Sequence, residues 1–152
     1  MAATTTNDGA LDNGRRLALV IGAAYVLVGI VGFFVTGFDH FASPSNERLL
    51  GIFEINPLHN IVHLAIGFAG LALWRRRDTA RAYGAALLAG YGLTFLYGLF
   101  TAGKDTSANF LSLNGADNGL HLISALAGLA IVMMLSRTAT VSPASSRTDA
   151  RV

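Results

Sequence analysis

Two short polar motifs contain the residues of this sequence whose types and spacing could hold a ligand. His59 and His63 lie four residues apart in NPLHNIVH, and Asp117 and His121 lie four residues apart in NGADNGLH. If both motifs are helical, each pair projects from one face of its helix. Imidazole and carboxylate groups paired in this way on neighbouring helices bind transition metals in helical bundles. The four residues are therefore predicted to share one metal ion.

The chain has no cysteine, so nitrogen and oxygen atoms must supply every bond to such an ion. These ligands suit zinc, iron or copper, and histidine could also hold a haem. Both motifs stand at expected helix N-termini, where the helix dipole disfavours protonated imidazole and favours carboxylate. Metal binding requires those protonation states. Five nearby polar side chains would orient the ligands: Glu54, Asn56, Asn60, Asn114 and Asn118.

A second interpretation of the same motifs needs no metal. Asn56 and Pro57 form a typical helix start, with asparagine as the cap and proline in the first turn. Asp117 could serve the later motif in a similar way, and the histidines would then form hydrogen bonds between helices. The sequence leaves two functions open: a metal- or haem-binding membrane protein, or a non-enzymatic structural or interaction component of the membrane.

Other polar residues do not indicate catalysis or transport. His40 lies in the loop GFDHFASPSNERLL and is expected to be solvated. Ser107, Ser112 and Ser124 lack the turn context of a nucleophilic serine, so no catalytic residue is predicted. No apolar stretch carries a central charge or a proline, which are the features that mark transport pathways. An enzyme or a transporter is therefore less favoured than a binding or structural protein.

Four apolar stretches must position these motifs, and they cover Leu17–Thr36 and about residues 58–74, 82–102 and 120–135. A bilayer core about 30 Å thick needs about 20 helical residues to cross it. Apolar residues make up 53% of the chain and charged residues only 13%, well below the charged share of soluble proteins. The sequence therefore predicts an all-α integral membrane four-helix bundle over residues 15–137. Residues 1–14 and 138–152 are expected to be disordered tails.

Basic residues are distributed unevenly around the predicted spans. Of the eleven, only Arg48 and Lys104 lie at one end; the other end has Arg15, Arg16, Arg75, Arg76, Arg77, Arg81, Arg137, Arg147 and Arg151. The positive-inside rule places both termini in the cytoplasm and all four histidines towards the outer face. Because the arginines flank apolar runs, they indicate a lipid bilayer as partner and no nucleic acid. A homo-oligomer or a partner in a membrane complex stays open.

The second and fourth spans resemble each other, and the first and third do so more weakly. The alignment pairs Asn56 with Asn114, Asn60 with Asn118, His63 with His121, Tyr25 with Tyr91, and Gly32 with Gly98. Each half, about residues 17–74 and 82–135, is a predicted two-helix hairpin, so both halves enter the membrane in the same direction. We therefore predict a parallel repeat about an axis along the membrane normal, in which spans two and four pack together.

Several of these segments together resemble a known family. They are GIFEINPLHNIVHLAIGFAGLAL, the arginine before a Tyr-Gly pair (Arg81, Tyr83, Gly84), and the later N-x-x-D-N-x-L-H-L motif. They are similar to the bacterial membrane proteins grouped as domain of unknown function 4383, which are common in actinobacteria. The resemblance covers about residues 14–136. It implies four helices and a location in the bacterial plasma membrane, and it implies no established activity.

Overall fold

A computed structural model describes residues 7–136 of the chain, with side chains described from residue 13 onward. It contains four long helices: α1 (Asn7–Thr36), α2 (Pro57–Leu73), α3 (Arg77–Thr101) and α4 (Gly115–Ser136). A short antiparallel hairpin of β1 (Arg48–Leu49) and β2 (Phe53–Glu54) lies between α1 and α2. The predicted all-α four-helix fold is confirmed, and the hairpin is an element that the sequence patterns did not predict.

Three of the helices begin before the apolar stretches that predicted them. Helix α1 starts at Asn7, so residues 7–14, which were expected to belong to a disordered tail, are helical. Helices α3 and α4 also gain a polar first turn, because helical backbone does not require apolar side chains. Residues 1–6, the expected tail at 138–152, and Arg137, Arg147 and Arg151 lie outside the described residues.

The surface of the bundle is apolar. Asn13–Thr36, α3 and α4 are each long and apolar enough to cross a membrane. Helix α2 has 17 residues, which is about 26 Å and near the lower limit for a crossing. Large apolar side chains face outward, as lipid contact requires: Phe34 is 85% exposed and Phe100 is 73% exposed. The protein is therefore an integral membrane four-helix bundle.

Small residues set the close approach within each helical hairpin. Glycine faces glycine or asparagine at four contacts: Gly22 with Gly70 and Gly32 with Asn60 between α1 and α2, Gly84 with Gly128 and Gly98 with Asn118 between α3 and α4. A Cβ at Gly32 would overlap Asn60 Oδ1, and one at Gly98 would overlap Asn118 Oδ1. The order of these contacts makes both helix pairs antiparallel, and both depend on small side chains at the contact.

The two hairpins meet through α1 and α4, through α2 and α3, and through α1 and α3 at the centre. The Tyr25 hydroxyl lies 2.6 Å from Ser124 Oγ across the α1–α4 interface. Within the described residues, no Cα atom of α2 lies within 8 Å of one in α4. The prediction that spans two and four pack together is therefore wrong for the backbone. The tyrosine-bearing helices α1 and α3 occupy the centre, and α2 meets α4 only through longer side chains.

Basic side chains tie the helix ends together at one end of the bundle, which we call the arginine end. Arg15 Nη1 donates to the Arg75 carbonyl at 3.1 Å, and Arg77 Nε donates to the Leu135 carbonyl at 2.9 Å. The second contact stabilises the C-terminus of α4, where carbonyl groups lack helical partners. The β-hairpin and both polar motifs lie at the opposite end, the histidine end, where His40 is exposed as expected.

Candidate ligand site at the histidine end

The start of α2 is fixed by Asn56. Its side-chain oxygen accepts a hydrogen bond from the His59 amide at 2.9 Å, and its side-chain amide donates to the carbonyls of Ser43 and Phe110. Pro57 follows as the first helical residue, where its missing N–H costs nothing. Asn56 is fully buried, so the cap ties both outer loops to α2. This arrangement fixes the direction in which His59 and His63 leave the helix.

The start of α4 uses the same device with one addition. Asn114 accepts from the Asp117 amide at 3.0 Å, and Asp117 Oδ2 accepts from the Asn114 amide at 2.9 Å. This is a reciprocal capping box with aspartate in the role of glutamate. The same Asp117 oxygen also accepts from the Glu54 amide of β2 at 3.1 Å. Asp117 Oδ2 is therefore occupied by backbone amides and holds the β-hairpin to α4.

Three of the four predicted ligands come together in the interior, and we call His59, His63 and His121 the histidine cluster. The rings of His59 and His63 have centroids 4.4 Å apart, and those of His59 and His121 are 5.8 Å apart. Each of the three residues is at most 6% exposed. The structure thus brings the predicted histidines together across α2 and α4. Asp117 lines a small cavity of about 90 Å³ together with them, while its Oδ2 binds the backbone of the β-hairpin.

Two tyrosines form the inner wall of the cluster. Tyr25 packs on His63 at 5.2 Å, Tyr91 packs on His121 at 5.4 Å, and the two tyrosine rings stack on each other at 5.4 Å. The sequence did not mark either tyrosine as a site residue. The sequence contained one indication of their role: Tyr25 aligns with Tyr91 in the same repeat that aligns His63 with His121.

The Nδ1 atoms of all three histidines are buried and have no hydrogen-bond partner among the described residues. Buried polar atoms in proteins are nearly always paired, so three unpaired nitrogens in one cluster are unusual. Three imidazole nitrogens are therefore free to bind something else.

The residues that were expected to orient the ligands have other roles. Glu54 accepts a hydrogen bond from Arg48 at 2.8 Å in an ion pair on the β-hairpin. Asn60 donates to Thr36 Oγ1 at 3.0 Å while its side chain packs on α1. Asn118 packs on α3 at Gly98 in the corresponding way. With Asn56 and Asn114 as caps, all five residues hold the backbone around the histidine cluster.

A metal ion shared by His59, His63, Asp117 and His121 stays a prediction. Among residues 7–136, no group of three or more histidine, aspartate or glutamate side chains is placed so that it could hold a metal ion. Asp117 Oδ2 already accepts hydrogen bonds from the amides of Asn114 and Glu54. Any ion bound at this site would need the three imidazole rings to reorient.

A cavity of about 220 Å³ lies between α2 and α3, with the histidine cluster at its outer end. Two tyrosines, Tyr83 and Tyr91, also line it, and the Tyr83 hydroxyl has no hydrogen-bond partner among the described residues. The remaining walls are uncharged and mostly apolar: Val62, Ile66, Ala69, Ala86, Leu87, Gly90, Thr94 and Leu111. The cavity combines apolar walls with a few converging polar atoms, as small-molecule sites in proteins usually do.

These features define the chain as an integral membrane four-helix bundle with a buried histidine and tyrosine site beside an apolar cavity. Residues 15–134 match the family described as domain of unknown function (DUF4383), and the chain belongs to that family. The resemblance of the sequence motifs to this family is thereby confirmed. No curated protein and no solved structure matches the chain. Since the family description carries no activity, function has to be inferred from the site.

Proposed function

We propose that the protein binds a lipophilic small molecule in the cavity between α2 and α3, with the polar end of that molecule at the histidine cluster. The observation that carries the proposal is the set of three buried, partner-free Nδ1 atoms at the end of this cavity. Packing alone does not account for them, because the caps and helix contacts are made by other residues. The proposed role is ligand binding, and no residue is assigned a catalytic role.

The energetics support a ligand. Leaving a buried donor or acceptor unpaired costs about 1–3 kcal/mol, and the hydrocarbon core of a membrane offers no water as a substitute partner. Three such atoms within one cluster are therefore a large cost for a protein of ordinary stability. A molecule that hydrogen-bonds to the imidazoles would offset this cost. The alternative interpretation, in which the cluster only holds helices together, does not explain why the nitrogens are unused.

A second candidate ligand is a zinc, iron or copper ion held by His59, His63 and His121. Neutral imidazole nitrogens suit these metals, and the three rings lie close together with Nδ1 unoccupied. The rings would have to turn towards a common point about 2.0–2.1 Å from each nitrogen. A haem is less suitable, because the macrocycle is too large to be enclosed in a cavity of about 220 Å³.

The functional test compares the wild type with a His63→Gln/His121→Gln variant, using His40→Gln as the matched control on an exposed loop. Each protein is extracted with its native lipids in polymer-bounded discs, then analysed by mass spectrometry for organic molecules and for metals. We expect the wild type and the control to carry one small organic molecule per chain and the double variant to lose it.

Two other results would contradict the proposal. A metal ion present in the wild type and lost only from the double variant would replace it with the second candidate. Wild-type protein with neither an organic ligand nor a metal would establish the histidine cluster as a packing network. Folding of the double variant is checked by circular dichroism, so that loss of ligand is not confused with loss of structure.

We also infer that the arginine end faces the cytoplasm of a bacterial plasma membrane. The distribution of basic residues supports this orientation, because cytoplasmic loops are enriched in arginine. The chain has no cysteine, so single cysteines can be labelled without background. Asp78 at the arginine end and Asp39 at the histidine end provide the two labelling positions. We expect Asp39→Cys to react with an impermeant maleimide on intact cells and Asp78→Cys to react only after lysis; the reverse would invert the topology.

A further inference from the structure

The cavity opens on the side of the bundle, towards lipid. On α3, Ala86 and Gly90 line the cavity and are also exposed on the outer surface. A Cβ atom at Gly90 would have no other atom within 4 Å, so the small side chains leave a gap there. Since α3 crosses the membrane, the surroundings of this gap are hydrocarbon. A molecule dissolved in the bilayer can reach the histidine cluster without passing through water.

The size of the cavity limits how much of a ligand it can enclose. Sites for drug-sized molecules usually have volumes of about 300–1,000 Å³. The cavity here has about 220 Å³, enough for one small ring system and a short part of a chain. A membrane amphiphile would therefore place only its head group inside. Its tail would remain among the lipids beside α2 and α3.

The lining determines the chemistry of the head group. No acidic or basic side chain other than the histidines lines the cavity among the described residues, so a charged head group would lose its hydration and meet no opposite charge. The polar atoms available include the three imidazole nitrogens and the hydroxyls of Tyr83 and Tyr91, which suit uncharged oxygen atoms. Five aromatic side chains line the polar end of the cavity, which favours a planar group: Tyr83, Tyr91, His59, His63 and His121.

On these grounds we infer that the ligand is a neutral, planar, carbonyl-bearing ring on an apolar tail, the chemistry of the isoprenoid quinones, and that it enters sideways from the bilayer past Gly90. This inference rests on the proposed function and adds the class of ligand and its route. The histidine cluster and Tyr83 would bind the ring oxygens. The proposal includes no redox step, and the protein binds the quinone without changing it.

The test uses histidine side chains as reporters, since the chain has only four histidines and His40 is exposed and does not line the cavity. Protein labelled with ¹³C and ¹⁵N at histidine is placed in lipid nanodiscs and titrated with decyl-ubiquinone, a benzoquinone with a decyl tail. We expect saturable shifts in the ring signals of His59, His63 and His121, and none in those of His40. Parallel titrations use decane, which has no head group, and decanoate, whose head group is charged.

The route is tested with Gly90→Leu, which fills the gap, against Gly92→Leu, its matched control on the same helix. Neither glycine would place a Cβ within 4 Å of another atom, and only Gly90 lines the cavity. We expect Gly90→Leu to weaken the apparent affinity for decyl-ubiquinone by about tenfold or more, and Gly92→Leu to leave it unchanged. The four histidine signals also show whether each variant is folded.

The outcomes separate this inference from the proposed function. If decyl-ubiquinone shifts the three signals equally in both glycine variants, the lateral route is wrong and the binding site stands. If decanoate binds as tightly as the quinone, the neutral class is wrong. Shifts with decane alone, or with none of the three probes, would overturn the quinone inference, while the co-purification experiment still decides the proposed function. Unchanged quinone affinity in the His63→Gln/His121→Gln variant would overturn both.

Discussion

The two interfaces between the hairpins are built from aligned residues but differ in how tightly they close. In the repeat alignment, Tyr25 corresponds to Tyr91 and Ser124 corresponds to Ile66. Across the α1–α4 interface, Tyr25 and Ser124 form a hydrogen bond of 2.6 Å. Across the α2–α3 interface, Tyr91 and Ile66 line a cavity, and the Tyr91 hydroxyl has no hydrogen-bond partner among the described residues. The open α2–α3 interface thus has an isoleucine at the position where the closed α1–α4 interface has a serine.

The space beside the histidine cluster shows the same contrast. On the α1–α4 side a cavity of only about 90 Å³ remains, and Leu49, Leu50 and Phe53 of the β-hairpin line it. Strand β1 contacts α1 and strand β2 contacts α4, so the β-hairpin covers this interface. On the α2–α3 side the cavity has about 220 Å³, and no residue of the β-hairpin lines it. The first outer loop, about eight residues longer than the second, provides the cover.

The two hairpins make matching contacts at the starts of α2 and α4 and between their helices, and they differ at aligned positions of the site. Both α2 and α4 have an asparagine cap of the same geometry and an asparagine packed on a glycine of the preceding helix. The aligned positions His59 and Asp117 have diverged. His59 joins the histidine cluster, whereas Asp117 binds the backbone of the β-hairpin.

The largest effect is expected from a substitution in the tightly packed α3–α4 hairpin, compared with one at the open α2–α3 interface. A Cβ at Gly128 would lie 2.6 Å from the Gly84 carbonyl oxygen and from the Leu88 amide nitrogen, so Gly128→Ala must push α3 and α4 apart. We expect a loss of about 1–3 kcal/mol in the free energy of unfolding, the usual range for overpacking. Gly90→Ala, at the mouth of the cavity, should be neutral or stabilise by up to about 1 kcal/mol.

Both variants are compared by reversible unfolding in mixed micelles of mild detergent and dodecyl sulfate. Equal losses for Gly128→Ala and Gly90→Ala would mean that the α2–α3 interface is as tightly packed as the hairpin interior. The contrast between the two interfaces would then be wrong.

A smaller effect is expected when the hydroxyls of the two aligned tyrosines are removed. Tyr25→Phe breaks the hydrogen bond to Ser124, and a loss of about 0.5–1.5 kcal/mol is expected in the same unfolding measurement. Tyr91→Phe removes a hydroxyl without a partner among the described residues and should change the free energy of unfolding by less than about 0.5 kcal/mol. A Tyr91→Phe loss as large as that of Tyr25→Phe would show that both interfaces are closed by hydrogen bonds.

Much of the fold could be predicted from the sequence because the controlling signals are local. The apolar stretches, the Asn56-Pro57 start and the placement of arginines along the chain need only nearby residues to be interpreted. The helix starts at Arg77 and Gly115 were missed because their first turns are polar. The β-hairpin was missed because two strands of two residues leave almost no alternating pattern.

Only part of the geometry of the site could be predicted from the sequence. The aligned motifs placed His59, His63 and His121 at one depth, and their rings lie together in the structure. The capping role of Asp117 was one of the two interpretations of its motif. Its contact with the Glu54 amide could not be predicted, because Glu54 lies far away along the chain. The cavity also depends on the gap between α2 and α3, and no spacing within a single helix encodes the distance between two helices.

The smallest effect is expected from a substitution that tests whether the two interfaces are equivalent in the repeat. Ile66→Ser places a hydroxyl opposite Tyr91 at the position that Ser124 occupies opposite Tyr25. If the hairpins are equivalent, the introduced hydroxyl and Tyr91 should form the missing hydrogen bond. A double-mutant cycle of Ile66→Ser with Tyr91→Phe should then give a coupling energy of about 0.6 kcal/mol, the average for hydrogen bonds between membrane helices. The cycle of Ser124→Ala with Tyr25→Phe serves as the benchmark on the closed interface. A coupling in the benchmark but none in the Ile66→Ser cycle would mean that α2 and α3 stand too far apart for side chains to meet. The two interfaces would then differ in helix spacing as well as in one side chain, and the open cavity would be a property of the backbone.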